Sequence, residues 1–364
     1  MHPRLLHILA IMLLALPMPL AAQEAVWSVD ESALLNNREG GGDDSPDKTV
    51  IFTRLAVEGG ISMLDDAHVL KGGAVWYQPM IDNMAGCKVL PILYYRYNDA
   101  SRGWHVAMGM MPRTLMVRRM PRYLWSDSLN YVQPNLRGGM VQYIKPNCYA
   151  ELAIDWRQMQ TDSRREAFNA MLNADWRVAG PLWLGGHVQY NHLARTRHAT
   201  PDQHVNDDLV INPMAALDLS GRTALDSLRI AAGAIVALER NRGDNRWHRP
   251  AGLVATATAR WRWLQVDETF YSGKGLMPLR DANGCLFNLG DPYYNNNTYS
   301  RTDVSAHLVN NRFVDLSVGI MYHASNDKSG FWQQLSCRFF IDSSLWKRRR
   351  DKSFLKNGHL QPLY

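Results

Sequence analysis

The chain has 364 residues, 46 % hydrophobic and 20 % charged, with 40 Lys and Arg against 34 Asp and Glu for a formal charge of +6. Twelve Trp, fifteen Tyr and nine Phe exclude a disordered chain, and four scattered Cys exclude a disulfide scaffold or a zinc-ligand cluster. The positive surplus resides at the two ends. Arg4, the apolar stretch Leu5 to Leu20 and the small residues Ala21-Ala22 read as a signal peptide over 1–22. No Cys follows it to carry a lipid anchor. Residues 343–364 form a tail, expected in the periplasm, with six bases and one acid. Between the ends, residues 23–342 hold 33 basic and 33 acidic side chains. No basic face remains to displace counterions, so no nucleic-acid partner is expected.

Beyond the leader no apolar run approaches the ~20 residues of a membrane-spanning helix. What recurs is period two. Over 167–178, Phe168, Ala170, Leu172, Ala174, Trp176 and Val178 alternate with Asn169, Met171, Asn173, Asp175 and Arg177. Over 148–157 and 227–239 the same alternation returns. Segments of ~9–11 residues with one apolar and one polar face suit strands that cross a bilayer. In chain order, strands are predicted over 26–38, 49–64, 67–79, 87–98, 103–113, 136–146, 148–158 and 167–178. The series continues over 182–193, 209–218, 227–239, 250–261, 263–273, 300–309, 312–324 and 330–341. The fold expected is all-β, a transmembrane antiparallel up-and-down β-barrel of about 16 strands spanning 23–342, with both termini periplasmic.

The connections support that count, because outer-membrane barrels alternate short periplasmic turns with longer external loops. Short links fall at 65–66, 99–102, 146–147, 180–181, 219–226, near Arg262 and at 310–311. External loops fall at 39–48, 80–86, 114–135, 159–166, 194–208, 240–249, 274–299 and 325–329. Two places fit poorly: the first strand alternates weakly, and ATARWRWLQVD (257–267) lacks a turn residue. A secreted β-sandwich or propeller is the competing class, and it does not require this alternation of loop lengths. Aromatic residues near strand ends suit interfacial girdles: Trp76, Tyr77, Trp104, Tyr143, Trp156, Trp176, Tyr190, Trp261, Trp263, Tyr322 and Trp332.

Several stretches carry a family resemblance: LLNNRE (34–39), MGMMPR (108–113), SDSLNYVQPNLRG (126–138), RREAF (164–168), DDLVINPMAALDLS (207–220), ALDSL (224–228), FYSGKG (270–275), GDPYYNNNTYSRTD (290–303), NRFVDL (311–316) and WQQ (332–334). In these the chain resembles outer-membrane β-barrel proteins of Bacteroidota, in particular a porin-like group. The resemblance implies a barrel in the outer membrane of a Gram-negative bacterium. Its partners would be outer-membrane lipid, the barrel-assembly machinery and small solutes. The basic tail departs from barrels that stop at their last strand.

If the apolar parity faces lipid, the other parity lines the lumen. Arg54, Glu58, Arg96, Asp155, Arg157, Asp175, Arg177 and Arg229 fall on it with nearly balanced signs. Rings of one sign would mark a selective pore, so the expectation is a passive, weakly selective channel for small solutes. The alternative is a structural or adhesive barrel whose lumen is plugged by loops 114–135 or 274–299. Glu268 falls on the lipid parity, which points to a bulge or a shifted strand boundary.

A lipid hydrolase is a third reading. His323-Ala324-Ser325-Asn326 is similar to the His-x-Ser-Asn motif of outer-membrane phospholipase A and of lipid A deacylases. A His two residues from a Ser shares its strand face and can serve as its base. Here, however, His323 and Ser325 share parity with Asp315, Ser317 and Gly319 and are expected to point inward, away from lipid. No G-x-S-x-G nucleophile elbow occurs. The expectation is therefore no enzyme and no cofactor. SGKG (272–275) lacks phosphate-loop spacing. His187, His192 and His198 lack a carboxylate at metal spacing, so no metal site is expected there. Cys87 and Cys285 fall on external loops and are candidates for a disulfide in an oxidising compartment.

Overall fold

The computed structural model describes residues 23–40, 47–80, 86–326 and 328–346, with two short paired segments at 355–356 and 359–360. The predicted leader and most of the basic tail lie outside the described residues. Sixteen antiparallel strands form the wall: β1 (Gln23–Gly40), β2 (Lys48–Met63), β3 (His68–Pro79), β4 (Lys88–Asp99), β5 (Trp104–Pro112), β6 (Asn135–Lys145), β7 (Cys148–Gln158) and β8 (Ala167–Ala179). They continue as β9 (Leu182–Leu193), β10 (Asn206–Asp218), β11 (Ser227–Asn241), β13 (Ala251–Trp261), β14 (Leu264–Gly273), β15 (Thr298–Asn310), β16 (Val314–Ser325) and β17 (Lys328–Asp342). The three-residue β12 (Arg246–His248) pairs only with the end of β11.

Each wall strand pairs with its chain neighbours, and β1 pairs with both β2 and β17, from Ser28↔Asp342 to Gly40↔Gly330. The sheet is thereby closed and has no open edge. The two places that fit poorly in the sequence resolve physically. On β1 the inward side is largely polar: Ser28, Asp30, Ser32, Asn36 and Arg38 are buried beside Val26 and Leu34. Its regular alternation is thus one of burial rather than of hydrophobicity. The 262–263 reversal needs no glycine, because Arg262 itself takes the left-handed conformation at φ 55. Most predicted girdle residues are exposed on the outer face, Trp104, Trp176 and Trp263 among them. Tyr77 and Trp332 are exceptions; both are buried on the inward side.

The hydrophobic core sits inside the barrel. The connection between β5 and β6, which includes helix α1 (Asp127–Val132), folds inward and contributes Met120, Tyr123, Leu124, Trp125 and Leu129. The connection between β14 and β15, with the short helix α2 (Arg280–Asn283), contributes Leu276, Met277, Leu289, Tyr293 and Tyr294. Both pack on inward side chains such as Met111, Leu136, Tyr271 and Tyr299. Ser126 caps α1, its side chain accepting from the Leu129 amide. The two connections also bond one another: the Ser126 amide donates to the Leu289 carbonyl and the Asp291 amide to the Arg122 carbonyl, each at 2.8 Å. Gly290 permits that approach, since a Cβ there would lie 2.3 Å from the Tyr123 carbonyl oxygen. Both connections thus occupy the barrel interior and share its apolar core.

Candidate functional site

Charged pairs fasten the plug to the wall. Asp127 on α1 accepts from Arg122 at 2.9 Å and from Arg301 of β15 at 3.1 Å. Asp303 in turn meets Arg122 at 3.0 Å and Arg301 at 2.6 Å. Burial alone would raise the Asp127 carboxyl; Arg122, Arg301 and Arg119 override it and hold the group well below the usual carboxylate range. Arg113, at the start of the same connection, bonds Asp155 at 2.7 Å and lies over the Trp125 ring. Burial pushes its guanidinium down to about 10 in spite of Asp155.

Most of the eight inward charges expected along a pore have partners within the protein. Asp155 receives Arg113 and lies 3.6 Å from Arg137. Asp175 binds Arg118 of the plug at 2.9 Å and Arg229 at 2.6 Å. Arg157 donates to the carbonyls of Leu286 and Cys285. Arg54 lies 3.6 Å from Asp30, and Glu58 lies 3.6 Å from Lys71 while accepting from Tyr94. Arg96 is half-buried on β4. Arg177 is exposed and bonds the Gly180 carbonyl at a short turn, away from the plug. A cavity of about 20 Å³ lined by Asp30, Arg54 and Glu58 persists beside β1–β3, room for roughly one water. Cys87 and Cys285, candidates for pairing, are both free thiols in this structure. Cys87 instead accepts from the Trp76 indole, while the Cys285 segment is held over β7 by Arg157.

His323 and Ser325 point inward, as parity requires, and are 0 % and 1 % exposed. His323 shares a hydrogen bond with the Tyr299 hydroxyl at 2.7 Å and packs against the Tyr293 and Trp332 rings. Lipid outside the barrel cannot reach this pair.

The outer face carries two polar groups that sequence reasoning did not assemble. Glu268 does face outward, with continuous register on both sides of it and no bulge. Hydroxyls of Ser300 and Thr302 donate to its carboxylate at 3.2 and 2.5 Å, which satisfies it on the apolar side. The second group lies where β9, β10 and β11 reach the long-loop end. Asp207 and His192 stand opposite one another on β10 and β9, with Nδ1 of His192 3.0 Å from the carboxylate. Tyr190 donates to the same carboxylate at 2.8 Å, Arg242 at 2.7 Å and Arg240 at 3.3 Å. His192 also stacks on Phe168, and Phe168 on Trp156. These residues alternate with inward Asn191 and Asp208, so the set belongs to the outer surface. His192 precedes Asp207 by 15 residues and Arg242 follows it by 35, and only strand register joins them. The sequence signal available was Asp207, which a paired β9–β10 hairpin brings opposite His192.

Comparison with known proteins agrees with the architecture. A protein-family model described as Lipid A 3′-O-deacylase-type matches residues 20–347. No match was found among curated proteins. Among solved structures, the chain is similar to OmpT of Vibrio cholerae (TM-score 0.54, 9 % identity, covering 89 % of this chain and 99 % of that one). It is also similar to an anion-selective porin from Comamonas acidovorans (TM-score 0.53, 8 % identity, 88 % and 100 % covered). A third is OccK2 (OpdF) of Pseudomonas aeruginosa (TM-score 0.52, 9 % identity, 88 % and 100 % covered). At such identities the likeness is one of fold, that of outer-membrane barrels. The family match corrects one expectation from sequence: the family is an enzyme family, so the reading of a barrel without enzymatic activity does not stand.

Proposed function

The chain belongs to the Lipid A 3′-O-deacylase-type family, and from that premise we propose that it hydrolyses an acyl ester of lipid A at the outer surface of the barrel, at His192 and Asp207. The observation that carries the reading is the outward His–Asp pair at the long-loop end, flanked by Arg240 and Arg242. With short turns on the periplasmic side, this end meets the outer leaflet, where the phosphorylated headgroups of lipid A lie. A hydrolase working on that lipid needs its groups on this face and at this height.

The chemistry follows from the contacts. Asp207 fixes one ring nitrogen of His192 and leaves the other to take a proton from water as the water oxygen attacks the ester carbonyl. Returning that proton to the sugar oxygen releases a free fatty acid and a hydroxyl. Arg240 and Arg242 bring positive charge suited to a phosphate or to the developing oxyanion. Trp156 and Phe168 offer an apolar shelf for an acyl chain. Passive solute passage, the first expectation from sequence, has the fold likeness to porins beside it, but fold alone transfers no activity and the packed lumen weighs against a wide pore.

The test is mass spectrometry of lipid A from a Gram-negative host expressing the full chain. Wild-type protein should remove one ester-linked acyl chain, His192→Ala should abolish the loss, and Ser325→Ala should preserve it. Unchanged lipid A with folded wild-type barrel, or activity that survives His192→Ala and disappears in Ser325→Ala, overturns the assignment.

A further inference from the structure

We propose that the arginine-rich loops over β7 to β13 dock the phosphorylated core oligosaccharide of the lipid whose ester lies at His192. The inference rests on the deacylase reading and names a further part of its substrate. The neutral total of the barrel hides an asymmetry at its long-loop end. The connections 159–166, 194–205 and 242–250 carry seven Arg against four acids, Asp162, Glu166, Asp202 and Asp244. The connections 41–47 and 80–87, on the same end over β1 to β4, carry four Asp and no Lys or Arg.

Most luminal arginines pair with a carboxylate or a carbonyl inside the protein; these loop arginines do not. Arg164, Arg195, Arg246 and Arg249 are exposed, and among the described residues none of their guanidiniums has an ion pair or a hydrogen bond. Arg197 shares Asp162 at 3.5 Å, with the two side chains 64 % and 67 % exposed, a pair that water and salt make weak. Guanidinium forks without an acceptor inside the protein match phosphate oxygens two at a time.

The three loops are fastened into one surface. Arg165 donates to the carbonyls of Ala194 and His204, each at 2.7 Å, and so ties the first loop to the second. The Arg197 amide donates to the Thr161 carbonyl at 2.9 Å, and the Arg242 amide joins the third loop through the Val205 carbonyl at 2.8 Å. Charges held in place before binding need less ordering when the ligand arrives. Height then selects the ligand. His192, Asp207 and Arg240 stand on strands, whereas Arg164, Arg195, Arg246 and Arg249 lie beyond the ends of β7, β9 and β11. The lower set meets a lipid headgroup, and the upper set continues outward from it along the sugars that the same lipid carries. Phosphates on those sugars supply the missing counter-charge.

The probe is core oligosaccharide released from lipopolysaccharide by mild acid, water-soluble and free of acyl chains. It is compared with the same sugar stripped of phosphate and with inorganic phosphate, by titration calorimetry on the full-length barrel in non-ionic detergent with EDTA. Wild type should bind the phosphorylated sugar at least about ten times more tightly than either comparison, and added salt should weaken that binding. Arg164→Gln, Arg195→Gln, Arg246→Gln and Arg249→Gln combined should fold, since none of these side chains has a partner to lose, and should bind at least about tenfold more weakly. No binding by folded wild type, equal binding of the stripped sugar or of inorganic phosphate, or full affinity in the fourfold variant overturns the proposal. The probe has no ester-linked acyl chain, so the two readings fail separately. Binding without deacylation of lipid A would sink the His192 assignment, and deacylation without binding would sink this one.

Discussion

Replacing Asp127 by Asn removes the charge at the centre of the plug while keeping its size. In the wild type that carboxylate accepts from Arg122 at 2.9 Å and from Arg301 at 3.1 Å, and the Arg301 side chain is 1 % exposed. Asn would leave both guanidiniums to Asp303 alone. Removing one partner of a buried ion pair costs about 3–5 kcal/mol, because the other charge stays buried and uncompensated. At ~1.4 kcal/mol per factor of ten, the fraction of molecules with the plug undocked rises roughly 10²- to 10⁴-fold. Limited trypsin digestion reads this directly, since Arg113, Arg118, Arg119 and Arg122 all lie in the docked connection. Where opening is fast, cleavage tracks the open population, so Asp127→Asn should be cut there far faster than wild type while the wall stays intact. The same variant should conduct in planar bilayers where wild type is quiet. Equal cleavage rates together with equal conductance would refute the view that this charge knot holds the plug.

The same knot sets a pH dependence. The folded Asp127 carboxyl lies below its unfolded value of about 3.9, so its contribution is complete above that pH and is lost only as pH falls through the depressed folded value. Conductance and trypsin cleavage should therefore stay flat from neutral pH to about 4; opening near pH 6 would contradict the assignment of Asp127 as anchor. Gly290→Val should separate the two loops, because a Cβ would meet the Tyr123 carbonyl oxygen at 2.3 Å and backbone on both sides must move. The expected result is faster loop cleavage with unchanged wall stability, and a variant cleaved at the wild-type rate would show that the contact is dispensable.

Much of the fold was legible because a strand that divides two solvents writes its two faces into alternate residues. Strand boundaries match within three residues in every case, and the alternation of turn and loop lengths supported their number. Where the inward residues of β1 were themselves polar or small, that signal faded although the strand was intact. The candidate site was legible only in part. Parity alone placed His323 and Ser325 inside the wall, since facing is a property of a single strand. His192 looked isolated, because its partner Asp207 lies on the next strand and becomes visible only when the register of β9 on β10 is known.

The sequence by itself therefore determined a neutral, sixteen-stranded wall with long loops at one end and a known facing for each side chain. Only tertiary structure decided what fills that wall and what gathers on it. Asp127 and Arg301 meet across 174 residues of chain, and Asp208 meets Glu239 through the pairing of β10 with β11. Period two is local and survives in any window of ten residues, whereas a pair contact depends on register and on where a loop finds its opposite charge. The +6 of the whole chain divides in the same way, into two charged ends and a balanced barrel whose charges are spent largely on one another.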